Sequence, residues 1–581
     1  MYVYVCYNIE RKEEFVVYKL DGSNVELILT YGDVFDDSFP DIKNEIEKLN
    51  MHKSISIICE LIGSRLSKTK SFNLLGRECF FPYETVIKSE ILGIVPKSAE
   101  KSSSNPILHK NKHIITIQML LMLLKFILAY GNRDTLSKTD YSITKDDYKK
   151  IIQLQLAVAS EFDKTASCTD FDKNHFVYAN YHLNVDRNVG NAFLRMYYMF
   201  EMLSKNKNLF DDDVKKEYRD YYNDFSEKYS ITPTQYLFYL FSELQIYFEE
   251  NKPLLYKSIW RNVDQLYDKI NDKSIVRKII DILSFKIDDT SINRAKNTIK
   301  NYWDFSFFFS HPYIQIEDLY ISISDVTLKN AFFEKMFWLV RECYPKDDSR
   351  AMSFFGRLFE RYIQTISEKA ISSSYEYINE FEWGSKNVIK SSDAYIKSGE
   401  NLLVIEAKGF SVLQNCMIRN TSVEENNKKL FVKPILQADT FLSETISEFD
   451  KFRNVKEAYI VSVTMDSINA VPDYYTSIID EIEKKKRCPK SKYFFNLSIE
   501  EYEMLLYVIE AGEDCFSLLK DYYSKKELSP FSGFLMARYP QVKMTNFMKE
   551  IYDKATATMG NTLFGNYKTA ASEGTAVNDQ I

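Results

Sequence analysis

Residues 391–409 read Ser391-Ser392-Asp393-Ala394-Tyr395-Ile396-Lys397-Ser398-Gly399-Glu400-Asn401-Leu402-Leu403-Val404-Ile405-Glu406-Ala407-Lys408-Gly409. Two apolar runs flank a Ser-Gly pair, the pattern of two strands joined by a tight turn. Side chains alternate between the faces of a strand, so Glu406 and Lys408 share a face. A turn centred on Ser398-Gly399 sets Lys397 opposite Glu400 and Val404 opposite Asp393. Asp393 then lies diagonal to Glu406 on the same face. A slip of one residue would separate them.

Two carboxylates and an ammonium at one strand end have a chemical use. Carboxylate oxygens suit a hard divalent cation, Mg²⁺ or Mn²⁺. Such an ion activates water and offsets charge developing on a phosphate. The Lys408 ammonium can position the water or stabilise the transition state. Ala407 is small, and its backbone carbonyl can join the metal shell. Alone, Glu406 and Lys408 read as well as an exposed strand pair worth under ~1 kcal/mol. Their context decides between the two.

That context lies on both sides. Upstream, Gly356-Arg357-Leu358-Phe359-Glu360-Arg361-Tyr362 falls in a predicted helix whose apolar stripe is Met352, Phe355, Phe359, Tyr362 and Ile366, with Glu360 at its edge. Downstream, Lys433-Pro434-Ile435-Leu436-Gln437-Ala438-Asp439-Thr440-Phe441 forms a second helix, and Lys456–Thr464 reads as a strand. The order helix, strand, strand, helix, strand, with Asp393 and Glu406-Ala407-Lys408 in place, resembles the PD-(D/E)XK, or restriction-endonuclease-like, nuclease superfamily. Ser392 stands where the motif has proline. The Lys433–Phe441 helix is similar to the Q-x-x-x-Y helix of related nucleases, with Phe441 for tyrosine.

The resemblance covers about 120 residues, roughly one fifth of the chain. It implies a catalytic set of Asp393, Glu406 and Lys408. It implies a metal shell of Asp393, Glu406, the Ala407 carbonyl and Glu360, holding Mg²⁺ or Mn²⁺. Gln437 would then contact the substrate or Lys408, and Lys433 a phosphate of the nucleic acid.

Working outward, the 581 residues hold only 16 Gly and 13 Pro. An average protein carries roughly 7% Gly and 5% Pro, so the shortage favours long helices over a large all-β fold. The expected fold is α+β and multidomain. It comprises a small β-rich N-terminal domain (1–95), a large mainly helical domain (113–343), an α/β restriction-endonuclease-like core with a mixed sheet (350–500), and a helical C-terminal extension with a flexible tail (501–581). Strands are expected at Tyr2–Tyr7, Phe15–Leu20 and Val25–Tyr31. Ser54–Ile62 reads as strand or helix, and 96–112 as a polar linker. Ser498 with Glu501 forms a capping box for a helix.

Six histidines are scattered with no His-Glu-x-x-His, which excludes zincin chemistry. Eight cysteines without a Cys-x-x-Cys pair exclude the usual structural zinc site. No signal peptide is read at the start, and reduced thiols suggest the cytoplasm. Ile114–Tyr130 is apolar but interrupted by Gln118 and Lys125, so a buried helix is expected, not a membrane span. The net charge of −7 argues against a general nucleic-acid coat. A local basic groove remains compatible with it. The strongest basic run is Lys484–Arg487 with Lys490 and Lys492, readable as a phosphate contact or a solvated helix end.

The leading expectation is a metal-dependent nuclease, with DNA ahead of RNA as substrate. A long helical region before a nuclease core suggests an effector of bacterial or phage-borne antiviral defence. That region would also join copies of the chain or a partner protein. The alternative is a non-catalytic nucleic-acid-binding or protein-interaction scaffold with a nuclease-like domain.

Overall fold

The computed structural model describes residues 27–35, 38–64, 112–167, 188–248, 260–266, 272–384, 389–419, 421–467, 472–524, 531–542 and 544–564, with short pieces between 72 and 92. The fold is α+β with two mixed sheets.

The larger sheet lies in the C-terminal half. Asp348 caps helix α1 (Ser349–Lys369) by accepting from the Arg350 N–H, so Tyr344–Ser349 ends in a helix cap. Strands β1 (Glu376–Asn379), β2 (Ala394–Ser398) and β3 (Asn401–Lys408) follow. Helix α2 (Lys433–Thr445) leads to β4 (Glu457–Thr464), and α3 (Pro472–Lys485) leads to β5 (Ser491–Ser498). The strands lie side by side in chain order. β1–β2 and β2–β3 are antiparallel; β3–β4 and β4–β5 are parallel. The parallel pairs need crossovers, and α2 and α3 supply them. The core thus has two strands, β1 and β5, beyond those the sequence pattern suggests.

Alternation along the strands sorts the side chains into two layers. Ile405, Ala407, Val461 and Leu497 share a core with Phe355, Phe359 and Tyr362 of α1. Leu402, Val404, Ile460 and Phe494 face Ile435, Leu442 and Ile482 of α2 and α3. A sheet between two helical layers results. In α1 the buried stripe includes Phe354, Leu358 and Ile363, whereas Met352, expected in it, is exposed.

The hairpin register differs from the expected one. Ser398 pairs with Asn401, Lys397 with Leu402 and Ala394 with Ile405. The loop is Gly399-Glu400, and Gly399 takes φ +57°, a backbone shape that glycine enters without strain. The strands therefore pair up to the loop. Continuing the ladder sets Asp393 straight across from Glu406, not diagonal to it. Because the shift is two residues, the shared face is kept.

The other described residues are mostly helical. Of the expected N-terminal strands, Tyr2–Tyr7 and Phe15–Leu20 lie outside the described residues, and the described part of the third is strand at Leu27–Ile28 and helix from Tyr31. Where a β-rich segment was expected, the described residues are largely helical: Tyr31–Val34, Ile42–Glu47 and Met51–Ser64, the last resolving Ser54–Ile62 as helix. They share a core with helix Ile117–Tyr130 and with Phe285 and Ile314. The middle region also holds a four-stranded mixed sheet (Arg261–Asn262, Ser284–Lys286, Tyr313–Ile316, Leu319–Ser322). Ile117–Tyr130 is buried, and no helix among the described residues is long and apolar enough to cross a membrane. The capping box forms: Ser498 and Glu501 bond reciprocally at the start of Ile499–Glu510. Helix Asn546–Phe564 closes the described C-terminal part, with Ala555 buried, and the rest of the expected tail lies outside the described residues.

Candidate functional site

β3 carries Glu406 and Lys408 to its C-terminal end, and the bend before β2 carries Asp393 beside them. Glu406 Oε2 and Lys408 Nζ are 3.1 Å apart. Asp393 Oδ2 accepts from the Ala407 N–H at 2.6 Å, which fixes its carboxylate against the backbone between those two residues. From the opposite layer, Gln364 on α1 donates from Nε2 to the Asp393 carbonyl at 3.2 Å. One helical turn earlier, Glu360 receives Arg357 Nη1 at 2.8 Å. Gly409 seats the strand end closely on α1. A Cβ on Gly409 would meet the Phe359 Cβ at 3.3 Å and the Gly356 Cα at 3.5 Å, so alanine there would push Phe359 back by a few tenths of an ångström.

Burial makes this cluster electrostatically tense. Asp393 and Glu406 are almost wholly buried. Burial, then the Glu406 and Glu360 charges, hold the Asp393 carboxyl well above its ordinary value, against the pull of Lys408 and the Ala407 N–H. Burial also raises Glu406, opposed by Lys408 and the Ser392 hydroxyl. For Lys408 burial acts to lower the ammonium, but Glu406 and Asp393 outweigh it and the net shift is upward. Glu360 acts on all three groups, so it belongs to the same electrostatic cluster.

The donor set suits a hard divalent cation. Two buried carboxylates repel each other and offer oxygen ligands, and Mg²⁺ typically takes one or two carboxylates and keeps several waters. Among the described residues no three His, Cys, Asp or Glu side chains stand together as a ready-made metal cage. The remaining ligands would therefore be water and substrate oxygens.

Gln437 and Lys433 are not drawn into this cluster. Both are exposed on one side of α2, while Ile435, Ala438 and Leu442 face the sheet. Among the described residues no hydrogen bond joins either to Asp393, Glu406 or Lys408. Phe441 packs in the core, 5.6 Å from Phe381. In the basic run, Lys485 and Lys486 pair with Glu481 and Glu483 of their own helix.

Four neighbours were not singled out from the sequence: Arg357, Gln364, Tyr377 and Glu380. The Asp393 charge bears on Arg357 and on Tyr377, and the Glu360 charge bears on Glu380. Helical spacing from Glu360 could have found Arg357 (three before) and Gln364 (four after). Tyr377 and Glu380 depend on β1, which shows no clear alternation.

Comparison of the chain with protein-family models, curated proteins and solved structures finds no match.

Proposed function

We propose that the chain is a metal-dependent nuclease that hydrolyses phosphodiester bonds. The observation that carries this reading is the meeting of Asp393, Glu406 and Lys408 at one strand end, with Glu360 within electrostatic reach. Bound by Asp393 and Glu406, and by Glu360 only once it turns away from Arg357, Mg²⁺ or Mn²⁺ would supply Lewis acidity and a water of lowered pKa. The chain's own residues do the rest. Asp393 is held in place by the Ala407 N–H. Glu406 keeps Lys408 charged and oriented. The Lys408 ammonium, part-buried, steadies the attacking water or the charge gathering on phosphate oxygens.

DNA is the substrate favoured by the family resemblance, ahead of RNA. An effector role in antiviral defence, with the helical region joining copies or a partner, rests on the architecture of a long helical region before this core.

One cleavage panel tests the reading. Purified protein is incubated with single- and double-stranded DNA and RNA, with Mg²⁺, Mn²⁺ or chelator, beside Lys408→Ala and Asp393→Ala checked for folding by circular dichroism. Cleavage that needs metal and is lost in both variants is expected. Metal-dependent cleavage that survives both substitutions would overturn the site. Nucleic-acid binding without cleavage in any arm would favour the scaffold alternative.

A further inference from the structure

Arg357 holds the carboxylate that a cation would need. Its Nη1 lies 2.8 Å from Glu360 Oε2, and its side chain is 38% exposed. The charges of Glu217 and Asp393 also act on it, so it sits between the middle region and the acidic cluster. This turn of α1 lies against the end of β3, where a Cβ on Gly409 would come within 3.5 Å of the Gly356 Cα, and the Asp393 charge reaches Arg357 there. The Arg357 side chain is itself part-exposed, so its guanidinium can be reached by a ligand.

A guanidinium and a metal ion compete for Glu360, because both need its oxygens. Once the carboxylate turns to a cation, Arg357 loses its partner. Left half-exposed beside a cation-loaded site, it matches a phosphate oxygen pair through its planar fork. Resting on the nuclease reading above, we propose that Arg357 is a phosphate-binding residue held in reserve by Glu360 and released to the substrate backbone when a divalent cation binds. The pair with Glu360 keeps the metal-free site closed to nucleic acid and makes metal loading precede substrate capture.

The test uses the full chain as wild type, Arg357→Ala and Arg357→Lys. Mn²⁺ binding is measured by calorimetry without nucleic acid, and kcat and KM are measured on DNA with Mg²⁺. Arg357→Ala should bind Mn²⁺ about 3- to 10-fold tighter, as the competing ion pair is gone. Its KM for DNA should rise about tenfold, as a charged phosphate contact is gone. Arg357→Lys should bind Mn²⁺ near the wild-type affinity but recover only part of the KM, since an ammonium has no fork. It also carries the test should the alanine variant fold poorly. A wild type that binds Mn²⁺ and cleaves, beside an Arg357→Ala with unchanged or weaker Mn²⁺ affinity, or with unchanged KM, overturns this proposal and leaves the nuclease reading standing. A wild type that neither binds Mn²⁺ nor cleaves removes both.

Discussion

Asp393 and Ala407, fourteen residues apart, are joined by a 2.6 Å hydrogen bond from the Ala407 N–H to the Asp393 carboxylate. The bond brings an acid from the bend before β2 to the backbone beside Glu406, and Glu406 and Glu360 then push its carboxyl upward on top of the effect of burial. An acid held against like charges is a site that favours a cation over stability.

Replacing Asp393 with Asn should therefore stabilise the metal-free protein. Asparagine keeps the acceptor for Ala407 and removes the charge. The sign follows from linkage. Asp393 has a folded-state pKa above its unfolded one, so below about pH 4 both states are protonated and no penalty arises. As pH rises through and beyond that value the unfolded state ionises first, and the folded wild type loses stability relative to the variant. Thermal unfolding in chelator from pH 4 to 8 should show Asp393→Asn gaining a few degrees over wild type toward high pH. A gap that shrinks as pH rises would contradict the assignment.

Divalent cation should reverse that order. A ligand that binds only the folded state stabilises it by about 2.7 kcal/mol at a concentration of 100 Kd. Mg²⁺ or Mn²⁺ should thus raise the wild-type Tm, and Ca²⁺ less so at equal concentration because its preferred shell is larger. The double variant Asp393→Asn/Glu406→Gln should show no rise. An equal rise in both proteins would place the cation elsewhere.

What the sequence disclosed follows from where local signals are strong. Two apolar runs and the Ser398-Gly399 pair betray the hairpin, and period two protects the shared face of Asp393, Glu406 and Lys408 even though the expected pairing is two residues off. The loop position was the weak point, because Ser398 and Glu400 are equally acceptable beside Gly399. β5 was hidden by Lys490 and Lys492, since an edge strand tolerates lysines that read as a solvated run. β1 was hidden by Glu376 and Asn379, neither a strand former. The exposure of Gln437 and Lys433 is a matter of how α2 rotates on the sheet, set by Ile435, Ala438 and Leu442. No local spacing reports that rotation relative to β3.

Gly399 should be the costliest loop position to change, and for backbone reasons alone. A Cβ there meets nothing within 4 Å, yet φ is +57°. Gly399→Ala should cost roughly 1–2 kcal/mol from the left-handed backbone, and Gly399→Asn less, because asparagine enters that region more readily. Urea unfolding checks the order. Equal costs for the two variants would mean that the loop relaxes to another shape.

Lys125 offers a prediction away from the site, on the helix that most resembles a membrane span. Its Nζ donates to the carbonyls of Thr298, Asn301 and Asp304 at 2.9, 2.7 and 3.1 Å, closing the end of helix Asp289–Thr298 and the turn that follows. Lys125→Met matches the side chain in length but leaves three acceptors without that donor, so a loss of about 2–4 kcal/mol is expected, with cleavage intact in the folded variant. The pH profile separates this role from simple packing. Burial pulls the ammonium down to about 8, with Asp304 opposing. A depressed folded-state pKa means stability that is complete above the ordinary lysine value of about 10.4 and lost as pH falls toward 8. Wild type should therefore gain on Lys125→Met as pH rises from 8 to 10, measured by Tm. A constant difference across that range would show that the methionine variant fails through packing and not through the lost ammonium.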